Sequence, residues 1–285
     1  MKQLIVNADD FGVSAGVNRG ILHTHQHGIV TSTTVMINFP DAAPGLEQAR
    51  ATAPDLGIGL HFNLTAGRPV SPPETVPSLL DKNGQFYNIV EWPACLTSFD
   101  ADHVRREMAA QVSRFIELAG KPPDHLDAHH HATYLHPVAL RAMLNTARRY
   151  QIPMRRGRID TPLDTGVRIL RSMMPKLTDA DGRGLIEQLE TIVSEGPEPF
   201  WPARFEMGFS QDHTTLGDLL VILTNLPDDS VTEILSHPGF VDGAPTHSHP
   251  QDRREVEIAL LTHPATLECV QAEDIHLITF GDLPR

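Results

Sequence analysis

The chain has 285 residues, 40% hydrophobic and 21% charged, a composition that excludes a disordered protein and allows a large core without disulfide staples. Lys and Arg number 23 against 36 Asp and Glu, a formal charge of −13; such a surface repels phosphate backbones and anionic lipid, so neither nucleic acid nor a membrane is an expected partner. Two cysteines, Cys95 and Cys269, cannot form a disulfide scaffold or a cysteine-rich zinc site.

The first ten residues turn acidic too early for a signal peptide, and no apolar run approaches the roughly 20 residues of a membrane span, so a cytoplasmic protein is expected. Leu4-Ile5-Val6 opens a strand that ends in Asn7-Ala8-Asp9-Asp10. Ser14 suits the N-cap of a helix with Val17, Ile21 and Leu22 on one face and Gly28 at its end. A β-branched strand over 29–38, a helix over about 41–53 and a strand over 57–64 follow. Residues 66–98 break the rhythm with five prolines, yet carry Phe86, Tyr87 and Trp92. Long loops in compact domains are commonly functional, so this insertion is expected to cap a site and offer an aromatic face to a ligand.

A helix over about 101–119 leads to a strand carrying His125-Leu126-Asp127-Ala128-His129-His130-His131. A helix over 137–150 and a short strand near 152–155 come next; 157–180 has no clear pattern. The remaining elements are a helix over 181–195, a strand near 203–208, a helix around Leu216–Leu223, a strand over 232–237, one or two helices and a strand near 275–280. Alternating strands and helices predict one α/β domain over 1–285 with a parallel sheet, closed as a barrel or open and doubly wound. No Gly-x-Gly-x-x-Gly follows the first strand, so the dinucleotide fingerprint is missing.

Sixteen histidines are the compositional anomaly. Asp9-Asp10, His61, the 127–131 cluster and His237 all sit at strand ends, which share one face of a parallel barrel. A carboxylate with two imidazoles makes a facial set for a divalent ion, and Asp10, His61 and one histidine of 129–131 supply it. Side chains alternate along a strand, so an extended 125–131 places Asp127, His129 and His131 on one side and His130 on the other; His61 and Asn63 likewise share a side. That favours His129 as ligand, with Asp127 and His131 behind it. His23, His25 and His27 on a helix, and His247 and His249 in a loop, read as surface residues.

The motifs Asn7-Ala8-Asp9-Asp10-Phe11-Gly12, Gly59-Leu60-His61-Phe62-Asn63-Leu64-Thr65, His125 to His131 and Ser236-His237-Pro238-Gly239 together resemble the YdjC-like carbohydrate deacetylases, which include the chitooligosaccharide deacetylases. The resemblance spans nearly the whole chain. It implies a distorted (β/α) TIM-like barrel of about seven or eight parallel strands, like that of the polysaccharide deacetylases. It also implies a metal held by Asp10, His61 and His129, Asp9 as general base and His237 as general acid. Arg155 matches an arginine that orients the base, and Asn63, Asp127 and His131 are expected behind the ligands or against substrate. The implied substrate is an acetylated sugar, the implied assembly a homodimer. The resemblance points to magnesium, whereas two imidazole ligands suit zinc or a similar transition ion better. Amide hydrolysis fits these residues independently, since a metal can acidify water, a carboxylate can take its proton and an imidazole can protonate the amine. The competing readings are another metal-dependent barrel hydrolase, such as a phosphoesterase, and a non-enzymatic metal-binding regulator.

Overall fold

A computed structural model describes residues 1–95, 98–157, 162–174, 177–198, 200–207, 209, 214–244 and 251–283. His247 and His249 lie outside the described residues.

Seven strands form one parallel sheet: β1 (Lys2–Phe11), β2 (Ser32–Val35), β3 (Gly57–Phe62), β4 (Leu126–Ala128), β5 (Arg204–Glu206), β6 (Ser230–Ser236) and β7 (Ile275–Leu277). The order is β4-β3-β2-β1-β6-β5. β7 pairs with Lys2–Leu4 of β1, while β2 pairs with β1 only from Asn7 onward. Two strands thus share one flank of β1, one at each end.

The sheet curls into a half-barrel. Between its edge strands β4 and β5, residues 153–155 continue the hydrogen bonding: Leu126 bridges Met154, and the Met154 N–H donates to the Phe200 carbonyl (2.8 Å). The expected strand near 152–155 is therefore one bridge long, and no named strand closes the barrel among the described residues.

Helices α1 (Ala15–His27), α2 (Ala42–Thr52), α3 (Ala101–Ala119), α4 (Pro137–Tyr150), α5 (Leu163–Met173), α6 (Asp179–Ser194), α7 (Leu216–Thr224), α8 (Gln251–Leu261) and α9 (Pro264–Ala272) complete the fold. Packing runs α8–α1–α2–α3–α4–α6–α5, with α7 against α9. α5 occupies the stretch whose sequence showed no pattern. No helix among the described residues is long and apolar enough to cross a membrane.

Strand alternation sorts the two sheet faces. Leu4, Val6, Ala8, Leu60, Phe62, Leu126 and Ala128 belong to the main core, together with the helices' apolar faces. Ile5 instead packs with Val231, Ile278, Phe280 and Leu283 in a small separate cluster, which floors the concave side. Asn7 and Asp9 continue that same face toward the C-terminal ends of the strands. The concave side is thus apolar at its base and polar at its mouth.

The 66–98 segment is irregular, with short 3₁₀ turns at Pro73–Thr75, Pro77–Leu79 and Trp92–Cys95. α3 clamps its start: buried Glu107 accepts from the N–H groups of Val70 and Ser71 (both 2.9 Å). Phe86 and Trp92 are buried in the main core, with Trp92 edge-on to Phe99 and His136, and Tyr87 is half-buried against it. The expected aromatic platform is therefore corrected for Phe86 and Trp92, because their large apolar surfaces are spent on packing. Both cysteines are free thiols.

Candidate active site

The site lies where β1, β3, β4 and β6 end. At the end of β1 the register breaks between Ala8 and Phe11, and Asp10 takes a left-handed φ of 71°. Regular alternation would turn neighbouring residues to opposite faces. The break instead brings both aspartates to one ring: His61 Nε2 lies 3.9 Å from Asp9 Oδ2 and 3.5 Å from Asp10 Oδ1. The turn after it is locked. Gly12 has φ 93°, and a Cβ there would come within 2.9 Å of the Ala42 Cα. Its N–H donates to Asn18 Oδ1 (2.6 Å).

His61 and Asp127 are registered neighbours on β3 and β4. His61 Nδ1 lies 2.6 Å from Asp127 Oδ1, so it carries the proton and leaves Nε2 facing the mouth. Asp127 Oδ2 accepts from Thr34 Oγ1 (2.9 Å) and pairs with Arg155 (3.0 Å). His129 Nδ1 lies 3.2 Å from His61 Nε2 and 3.2 Å from Asp10 Oδ1. Asp10, His61 and His129 therefore form a triangle with sides of 3.2–3.5 Å, all three buried. Ligands held about 2.0–2.2 Å from one ion, in octahedral or tetrahedral positions, lie roughly 3–3.5 Å apart. The triangle fits one divalent ion on distance and donor type. A second grouping, Asp9, His61 and Asp127, also lies close together. It fits less well, because Asp9 and Asp127 are both paired with Arg155.

Arg155 is fully buried and grips Asp9 bidentately (2.7 and 2.8 Å), while its Nε donates to Glu233 Oε1 (2.6 Å). Burial works against an ionised Asp9, but the Arg155 guanidinium, followed by His61, holds the carboxyl well below the usual range. Burial likewise opposes ionisation of Asp10; Arg254, then His129, overrides it and keeps the pKa low. Glu233 has no such surplus of cations, and burial pushes it up to about 7. Burial would lower His61, yet Asp127, Asp9 and Asp10 together push it up to about 9. The three aspartates thus favour a positive charge at the His61 ring, a charge that a cation bound there would also supply.

His237 follows β6 directly. Its backbone N–H donates to Glu257 Oε2 (2.5 Å), and its carbonyl accepts from Arg254 (3.4 Å). Burial pushes its imidazole down to about 4, against the pull of Asp10 and Glu257. Arg254 also donates to Asp10 Oδ2 (2.5 Å), the oxygen turned away from the two histidines.

Three expectations change in detail. Extended backbone stops at Ala128, and His130 and His131 take left-handed φ values of 55° and 54°. The alternation expected over 125–131 does not hold past His129. His131 turns its ring toward Phe205 and Tyr134, where burial lowers its pKa to about 3; His130 meets Thr65 Oγ1 (3.0 Å). Asn63 spends its amide on the turn after β3, donating to Asn38 and Ala66 and accepting from the Thr65 and Ala66 N–H groups. On α1, His23 and His25 are half-buried and only His27 is exposed; His25 Nδ1 binds the Val30 carbonyl (2.8 Å).

Residues that sequence reasoning missed are Asn7, Thr34, Glu233, Arg254 and Glu257. Asn7 lay inside a quoted motif. Arg254 and Glu257 sit in the run Asp252 to Glu257, which reads as a solvated helix face, yet both are buried. Their spacing of three was the available signal.

The profile of the YdjC-like protein family matches residues 3–272. A carbohydrate deacetylase of Thermoanaerobacter pseudethanolicus is 34% identical over 284 residues, covering 99% of this chain and 100% of that one. A chitooligosaccharide deacetylase of Proteus mirabilis is 32% identical, with 98% of each chain covered. A crystal structure from Enterococcus faecalis V583, of a protein named for cellobiose-phosphate cleavage, superposes with a TM-score of 0.79 at 28% identity, covering 98% of this chain and 97% of that one. The chain belongs to the YdjC-like protein family.

Proposed function

We propose that this protein is a metal-dependent carbohydrate deacetylase that hydrolyses the acetamide of an N-acetylated sugar. The observation that carries the reading is the Asp10–His61–His129 triangle with Asp9 beside it. The names of the relatives supply the substrate class. A divalent ion held by these three residues supplies acidification of water and polarisation of the acetyl carbonyl. Two imidazoles with one carboxylate favour zinc or a similar ion over magnesium.

The chain's own groups cover the proton transfers. Asp9, ionised and aimed by Arg155, accepts a proton from the attacking water. His237 passes a proton to the departing nitrogen, and the proton that Asp9 took from the water replaces it, so both groups return to their starting states as the amine and acetate leave. Among the described residues, the arginines at the centre are Arg155 and Arg254, and both are engaged by carboxylates. That disfavours the phosphoesterase reading, which needs cations turned to a phosphate.

The test is acetate release from N-acetylated chitooligosaccharides by metal-stripped and metal-restored protein. Activity restored by zinc, cobalt or magnesium supports the reading. No acetate from the metal-loaded protein, or full activity after stripping, overturns it.

A further inference from the structure

His125 opens the motif that contains Asp127 and His129, yet the proposed chemistry does not use it. Its ring is fully buried on the concave side, below the site. The Phe280 ring stacks on it at 3.9 Å and 11°. β3 passes so close that a Cβ at Gly59 would lie 2.6 Å from the ring. A glycine on β3 and an aromatic from the floor thus hold one imidazole in a slot.

Both ring nitrogens are engaged. Nδ1 meets Asp124 Oδ1, and the other oxygen of Asp124 accepts from the Ile58 N–H (2.8 Å). Nε2 lies 3.1 Å from Asn7 Oδ1. The amide nitrogen of Asn7 donates to Asp9 Oδ1 (2.8 Å), with Asp127 Oδ2 and Thr34 Oγ1 each at 3.3 Å. This surrounding settles the amide's orientation: carboxylates only accept, so the NH₂ must face Asp9 and Asp127. Asn7 Oδ1 then faces His125, which must donate from Nε2. A flipped amide would set its oxygen against two carboxylates. Each bond along Asp124–His125–Asn7–Asp9 thus has a defined donor: His125 donates from Nδ1 to Asp124 and from Nε2 to Asn7, and Asn7 donates to Asp9.

We propose that His125 is a positioning residue for the Asp9 carboxylate, acting through the Asn7 amide. Arg155 grips Asp9 from one side and Asn7 holds Oδ1 from below, so the carboxylate has two independent anchors. Without the donor on His125, the Asn7 carbonyl is buried without a partner and the amide gains a reason to rotate. This inference rests on the reading of Asp9 as the base.

The test compares His125→Phe, which keeps the stacked ring and removes both N–H groups, with His125→Gln, which restores a donor toward Asn7. His125→Phe should lower kcat by about 10–100-fold with KM within about twofold, as expected when a reacting group is misplaced but not removed. His125→Gln should recover most of the loss. In an Asp9→Asn background His125→Phe should have little further effect, because both changes act on one group. A crystal structure of His125→Phe should show the Asn7 amide turned away from Asp9. Should that variant fail to fold, Asp124→Asn, which loosens His125 from its surface end, carries the same comparison. Additive losses in the double variant, or Asn7 unmoved, would overturn the proposal. A wild-type protein that releases no acetate while Asn7 turns in the variant would sink the deacetylase reading and leave the relay standing.

Discussion

The Nδ1 of His61 and the Oδ1 of Asp127 are 2.6 Å apart across adjacent strands, and this contact decides which imidazole nitrogen faces Asp10 and His129. Asp127→Ala should therefore weaken metal binding without removing a ligand. Partners behind a ligand are typically worth about 10–100-fold in affinity. Zinc titration by calorimetry measures it, and an unchanged affinity would show that packing alone orients His61.

A proton and the proposed metal would compete for the same His61 nitrogen. Burial would lower His61, but Asp127, Asp9 and Asp10 push it up to about 9 from an ordinary 6.5. A raised pKa stabilises the folded protein fully below the unfolded value, and that stability is lost as pH rises through the folded one. The metal-stripped protein should lose Tm between pH 6.5 and 9, while zinc affinity rises over the same interval by at most about tenfold per pH unit. A flat Tm for the stripped protein across that interval would mean that His61 is not charged in it.

Asp9→Asn keeps the shape of the proposed base and removes its basicity. Activity should fall by roughly 10²–10⁴-fold while one equivalent of metal stays bound. Loss of metal in this variant would make Asp9 a ligand and exchange the roles of the two aspartates.

His237→Ala separates a proton donor from a structural residue through the leaving group. An amine must be protonated before the C–N bond breaks, whereas an aryl oxide leaves unaided. Amide hydrolysis should slow by about 10²–10⁴-fold and aryl-acetate hydrolysis far less. Equal losses on both substrates would assign His237 to the fold or the metal.

Trp92 lies in the core, not over the mouth. Trp92→Ala should cost about 3–5 kcal/mol in urea unfolding and leave KM for oligosaccharides unchanged where the variant is folded. A raised KM at unchanged stability would return the 66–98 segment to the substrate.

Strand ends were legible because apolar runs stop at polar residues, and in a parallel sheet those ends share one edge. Asp9, Asp10, His61, Asp127, His129 and His237 were located on that basis. The left-handed backbone at His130 and His131 was not legible, since nothing local in three consecutive histidines favours it over extension. Trp92 was misplaced because proline density marks irregular backbone and is silent on burial. Arg254 and Glu257 were hidden for the opposite reason: charge predicts solvent unless a buried partner exists, and Asp10 and the His237 N–H lie far off in sequence.

The pairing of β1 sets a timetable for folding. Its Ala8 pairs with Thr33 and Ser236, and its Lys2 with Ser230 and Ile275. The central strand is thus synthesised first and completed last. At about 5–20 residues per second, roughly 10–50 s of translation separate β1 from the arrival of β6. Until then Leu4-Ile5-Val6 stands on an open edge, in a topology whose long-range pairings already form slowly. The nascent chain thus passes through a stage exposed to aggregation, and chaperone supply during synthesis should raise the soluble yield.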